Sequence, residues 1–194
     1  QITCGSKLIG NDYDYLNLKL TVTKRFYLSV LGYTDVVAEG GKIIGKVPYP
    51  FLFIHRANQT YSYQINSYNL MNFLEFVSDQ YASISIDHNF NGFFFNKIPL
   101  LKKLKWRECV AAKVLYGGLT KRNNPGYHPD LFKFPRDENN PLTFTLDEGP
   151  YVEVSAGVAN ILKLFRIEFV NRITYLDRPN VAKFGIRARF KFDF

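Results

Sequence analysis

The sequence has one methionine, Met71, and one tryptophan, Trp106, in 194 residues, and it begins with glutamine. Residue 1 is therefore not expected to be a translation start, and something is expected upstream of it: a signal peptide, further domains, or half of a larger barrel. Two cysteines, Cys4 and Cys109, are too few for a disulfide scaffold, and spacing leaves open whether they stay free or form one incidental bridge. No run approaches the ~18 apolar residues of a membrane helix. A membrane barrel is untouched by that test, because half of every strand is polar. The three histidines, His55, His88 and His128, lie far apart and none has a His-x-x-x-His spacing. No Gly-x-Ser-x-Gly motif occurs either, so neither a metal site nor a serine nucleophile is marked. Gly40-Gly41 and Gly117-Gly118 are too isolated for phosphate loops and read as flexible strand ends or bulges.

Acids are also scarce: 17 against 25 Lys and Arg, a formal net charge of +8. The cations are spread singly along alternating strands and match no nucleic-acid motif, so no nucleic-acid partner is expected. An anion-attracting lumen or contact with phosphorylated lipid fits better.

Aromatics are abundant, with 18 Phe and 13 Tyr. The segment Lys183–Phe194 sets Phe184, Ile186, Ala188, Phe190, Phe192 and Phe194 against Gly185, Arg187, Arg189, Lys191 and Asp193. Successive strand side chains point to opposite faces, so one face is apolar and the other cationic. In an outer-membrane barrel such a strand meets lipid on one side and a wet lumen on the other, and ~9–11 residues suffice to cross. An amphipathic edge strand of a soluble sandwich is the alternative. The terminal aromatics Phe190, Phe192 and Phe194 resemble the assembly signal of bacterial outer-membrane proteins.

Alternation recurs upstream. In 15–24, Leu16, Leu18, Leu20 and Val22 oppose Asn17, Lys19, Thr21 and Thr23. In 81–90, Ala82, Ile84, Ile86 and Phe90 oppose Tyr81, Ser83, Ser85, Asp87 and Asn89. In 164–175, Phe165, Ile167, Phe169, Ile173 and Tyr175 oppose Arg166, Glu168, Arg172 and Thr174. Weaker strands are expected at 30–43, whose facing is ambiguous, at 105–116, and at 151–158. Glu108 falls on the apolar side of the 105–116 strand. Connections alternate between short (26–29, 160–162) and long (44–78, 119–149), as periplasmic turns and outside loops do in such barrels. The stretch 93–104 falls on the short-turn side. Pro48 and Pro50 predict a packed loop, and 66–76 a short helix with Leu70, Phe73 and Leu74 on one face. That loop is expected to cap the barrel, bind a neighbouring protein, or fold on its own wall.

Seven strands do not close an even-numbered barrel. Either an eighth lies in 1–13 or 44–78, or the chain is the C-terminal half of a barrel of about sixteen strands, which the missing start favours. The candidate site is the set of lumen-facing charges: Lys19, Asp87, Lys113, Arg166, Glu168, Arg172, Arg187, Arg189 and Lys191. They read either as a charged pathway or ligand surface, or as a plugged lumen in which cations pair with acids of other strands. Arg166 and Glu168, same-face neighbours, are placed to begin such a network.

Several strings are distinctive: Gly45–Leu52 with His55–Tyr61, Asn69–Tyr81, Asn91–Leu104, Leu115–Gly118, Phe165-Arg166, and Phe184–Arg187. Together they resemble the C-terminal barrel region of a Bacteroidota outer-membrane family of unassigned function, whose members carry an N-terminal carboxypeptidase-like regulatory domain. Its barrel is distantly similar to those of BamA/TamA-type insertases. The resemblance covers residues ~13–194. It implies no enzyme and no active site, and the Arg-Gly-Phe or Arg-Gly-Tyr motif of the insertases does not occur here.

The expectation is thus an all-β, antiparallel transmembrane β-barrel segment spanning 1–194, with upstream strands and the regulatory domain outside this chain. The expected role is non-enzymatic, without cofactors: transport across, protein assembly in, or an accessory subunit within the bacterial outer membrane. Expected partners are outer-membrane lipid and lipopolysaccharide, the barrel-assembly machinery through the C-terminal strand, and other outer-membrane proteins through 44–78 and 119–149. A soluble β-barrel ligand-binding protein and a barrel lipid enzyme are the rival readings.

Overall fold

A computed structural model describes residues 1–6, 12–137 and 140–190. Eight strands form one sheet: β1 Ile2–Gly5, β2 Tyr15–Tyr27, β3 Tyr33–Gly45, β4 Gln80–Asn89, β5 Arg107–Gly118, β6 Tyr151–Ile161, β7 Phe165–Arg172 and β8 Phe184–Phe190. Each pairs antiparallel with its neighbours in sequence, giving an up-and-down meander. β1 supplies the eighth strand from within 1–13.

The sheet curls but does not close; β1 and β8 are its two edges. A closed eight-stranded barrel has an interior just wide enough for its own side chains. Here the concavity also holds loop residues 46–79, including Tyr63, Tyr68, Met71 and Phe76, all buried. Part of that loop lies along the β8 edge, where the Tyr63 N–H donates to Ala188 O at 2.9 Å and the Ala188 N–H donates to Tyr61 O at 3.1 Å.

The facing of the strands inverts the usual water-soluble pattern. Outward residues form a belt running through Leu20 and Val22, Val36 and Ala38, Ile84 and Ile86, Val110 and Val114, Val154, Phe169 and Ile186, in cross-strand register. Leu20 is 70% exposed and Ile186 53%, whereas Glu168 and Glu153 on the concave side are 0% and 1% exposed. The ambiguous third strand resolves accordingly: Val37, Glu39, Gly41 and Ile43 face inward, and Val36, Ala38, Gly40 and Lys42 outward.

The apolar core lies inside the curl at the long-loop end. Tyr68, Met71 and Phe76 from 46–79 and Leu146 from 119–149 pack on Tyr81, Leu115, Tyr151 and Tyr175. Segment 66–76 is not a helix. Leu74 takes a left-handed φ of 60°, and the chain around Tyr68 is extended, pairing with Arg56 and Asn58. A 3-10 turn at Phe95–Lys97 and an α-helix, α1 Pro99–Leu104, occupy the 93–104 connection; α1 is begun by a proline in its first turn and ended by Lys105 in a left-handed conformation. Tyr175 also departs from the period-2 reading. β7 ends at Arg172, and a left-handed φ of 56° at Tyr175 accompanies burial of its ring in the core.

Gly41 lies in mid-strand rather than at a strand end or bulge. A Cβ there would sit 2.5 Å from the Tyr81 ring and 2.7 Å from Phe53. The missing side chain is what seats the loop against the wall. Gly41→Val should therefore cost about 1–3 kcal/mol by overpacking and speed proteolysis within 46–79. An unchanged melting temperature and cleavage pattern would remove Gly41 from the packing.

Candidate functional site

The chemistry-bearing residues converge on the concave face and on the loop filling it. On the β7 side, Arg166 forms a bidentate pair with Asp87 of β4, at 3.0 and 2.7 Å. Its Nε also lies 2.5 Å from Glu168 Oε1, a charge contact without hydrogen-bond alignment. The other Glu168 oxygen accepts the Ser155 hydroxyl. Arg172 is clamped twice by Glu75 of the loop, at 2.9 and 2.6 Å, and donates to the carbonyls of Thr174 and Tyr175. Its guanidinium lies 4.8 Å from the Tyr151 ring centroid.

Glu153, facing in from β6, accepts the backbone N–H groups of Asn69 at 2.8 Å and Leu70 at 2.7 Å, and the Tyr151 hydroxyl. Lys113 donates to the carbonyls of Gln64 and Ser67, both at 2.5 Å, and sits over the Tyr63 ring. Arg187 reaches the Asn69 carbonyl at 2.8 Å. The wall thus binds the loop mainly through the loop's backbone, which satisfies polar groups that would otherwise be buried without partners.

The β2–β4 side is roomier. Lys19, Arg56, Thr21 and Tyr81 converge on Glu39 at 2.9–3.1 Å. Beside them lies a cavity of about 660 Å³ between the wall and the loop. His55 borders it, sharing a 2.8 Å hydrogen bond with Ser78 and an edge-on contact with Tyr81. Burial pushes the His55 pKa down to about 4, with Lys19 reinforcing the shift and Glu39 opposing it. At the long-loop end, buried Asp79 accepts the Thr120 N–H and hydroxyl and the Asn123 amide. Asn123 in turn accepts the Val47 N–H at 2.8 Å, joining the two long loops.

Of the residues singled out from sequence, Lys19, Asp87, Lys113, Arg166, Glu168, Arg172 and Arg187 all meet in this network. Arg189 lines the concavity at the short-turn end. Phe190 is exposed and packs on Phe165 at 4.6 Å between ring centroids. Lys191, Phe192 and Phe194 lie outside the described residues. Glu108, near the short-turn end, accepts the Phe94 and Phe95 N–H groups. Both cysteines are free.

Sequence reasoning missed Glu39, Glu75, Asp79 and Glu153. Glu153 was legible, because alternation puts it on one face with Tyr151 and Ser155. Glu75 and Asp79 act through loop geometry that no periodicity encodes. The geometry holds a loop in place and leaves a roomy polar cavity beside it. Among the described residues, no three His, Cys, Asp or Glu side chains gather as metal ligands.

Removing Glu75 by Glu75→Gln leaves Arg172 buried with half a partner and should cost about 3–5 kcal/mol, seen as rapid cleavage within 46–79. Acid should loosen the same loop. His55 is neutral when folded but takes a proton near its ordinary pKa of 6.5 when unfolded. Its contribution is therefore complete above pH 6.5 and falls as pH drops toward 4. The loss between pH 7 and 5 is about 2 kcal/mol, and His55→Gln should abolish that share of the slope in pH-dependent melting.

No curated protein and no solved structure matches the chain. Residues 1–127 match the C-terminal domain of a family of unknown function, DUF5686. The match takes in the first 127 of 194 residues, from β1 through β5 into the following loop, and the chain belongs to that family.

Proposed function

We propose that this chain is the C-terminal wall of an integral outer-membrane β-barrel of about sixteen strands. We further propose a non-enzymatic role in outer-membrane transport, protein assembly, or as an accessory subunit of an outer-membrane complex. One observation carries the reading: an apolar, largely exposed belt runs along the outward face from β2 to β8, while the concave face buries Glu153, Glu168, Lys113 and Arg172. A protein in water has no physical reason for that inversion, and contiguous apolar patches of this kind mark contact with another apolar phase. A lipid-facing wall with a polar interior requires it.

The short-turn rim agrees. Phe26, Tyr27, Phe94 and Phe190 are exposed there, and Lys24 and Lys97 sit 5.3 and 4.7 Å from the Phe26 and Phe93 rings. Aromatic rings with cations beside them suit the headgroup boundary of a bilayer. The interior width argues for further strands, since eight alone leave no room for the 46–79 loop. Partners on this reading are outer-membrane lipid and lipopolysaccharide, the barrel-assembly machinery through the C-terminal strand, and neighbouring proteins through the two long loops.

The test is made on the native gene product. Cell fractionation should place it in the outer membrane, with heat-modifiable migration on a gel. Recovery in the soluble fraction without a shift would make a soluble β-barrel binder the better reading. Ile186→Arg should block assembly far more than Arg187→Ile, because a cation facing mid-bilayer lipid costs roughly 2–4 kcal/mol. Equal tolerance of the two would overturn the facing.

A further inference from the structure

Most concave-face charges are paired, but the pairing fails at the short-turn end. A cavity of about 120 Å³ lies there, walled by residues of β2 through β8. Arg25 is neutralised by Asp35 at 2.6 Å, and Arg166 by Asp87 at 2.7 Å. Arg107, Lys163 and Arg189 line the same cavity, and among the described residues none of them has an acidic partner. Three positive charges therefore face one small space, contributed by β5, the β6–β7 turn and β8. Asn89, buried in the wall, accepts the Asn91 N–H at its Oδ1, which leaves its amide NH₂ as a further donor.

We propose that this cavity binds a phosphate group, with Arg107, Lys163 and Arg189 as its cationic ligands. Two planar guanidinium forks can each grip a pair of oxygens of a tetrahedral phosphate, and the lysine adds a point charge. The volume suits a single phosphate, and three cations without acidic partners among the described residues suit a dianionic monoester better than a lone carboxylate. A free phosphate or small ester and the headgroup of a phosphomonoester lipid share this chemistry. The site stands on the concave face and does not depend on what the outward face meets.

The test uses the full-length gene product in a zwitterionic detergent at fixed ionic strength. Inorganic phosphate is titrated and followed by calorimetry, with gel heat-modifiability read for every variant. Saturable binding is expected, weakened at least about tenfold by Arg107→Gln with Arg189→Gln, and unchanged by Lys102→Gln with Lys103→Gln on the adjoining helix. Should the arginine pair fail to fold, Lys163→Gln in the exposed turn serves instead and should also weaken binding. Short-chain phosphatidic acid below its micelle concentration distinguishes the source. Displacement of phosphate at much lower concentration assigns a lipid headgroup; equal or weaker displacement assigns a soluble phosphate. No saturable phosphate binding by the folded wild type would overturn the site, as would equal weakening by the Lys102/Lys103 variant.

Discussion

Glu153 is 1% exposed, and its two carboxylate oxygens receive backbone N–H groups 83 and 84 residues away in the chain. Arg172, on the next strand, is held with similar exactness by Glu75 of the same loop. A buried ion left without its partner is among the costliest faults a fold can carry. Wall and loop are therefore bound to each other: neither the strands' inner faces nor the loop's backbone is satisfied alone. Much else follows from that mutual dependence. The loop remains in the concavity, its Tyr, Met and Phe side chains make the apolar core there, and the sheet is held in an open curl wider than eight strands need.

The wall answers to opposite conditions on its two faces. Outward, rows of Val, Ile, Leu and Phe are exposed. Inward, charges are held by acids, as at Lys19, Arg166 and Arg172, or by backbone groups of the loop, as at Lys113, Glu153 and Arg187. The pairing follows geometry: acids and bases meet where β4 and β7 face the loop, at Asp87, Glu168, Arg166, Arg172 and Glu75. At the short-turn end the loop reaches the wall only through apolar Ile65, and among the described residues the cations of Arg107, Lys163 and Arg189 stand without acids. The polar interior is therefore a structural network over most of its length and a charged surface over the remainder.

The element pattern was legible in the sequence because the strand repeat is short and local. Leu16 through Val22, Ala82 through Ile86 and Phe184 through Ala188 announce both strand and facing within a few residues. The same repeat puts Lys19, Asp87, Lys113, Arg166, Glu168, Arg172 and Arg187 on one side. Periodicity failed where the chain leaves regular structure. Segment 66–76 carries helix-like spacing, yet Leu74 is left-handed and the segment is spent on Glu153 and on the core. Tyr175 continues the outward count of β7, yet a left-handed turn accompanies its burial inside. Gly41 reads as a strand end until Phe53 and Tyr81 are seen pressed against it.

From sequence alone came the all-β class, the meander of strands, the alternation of short and long connections, and the choice of inward charges. All of these depend on neighbours within one strand or one turn. Tertiary structure alone decided that the sheet stays open, that the 44–78 loop folds into its own wall, which acid meets which base, and where, among the described residues, three cations lack an acid. Those outcomes depend on contacts between residues tens of positions apart, whose distance is set by the curl of the whole sheet rather than by any local repeat.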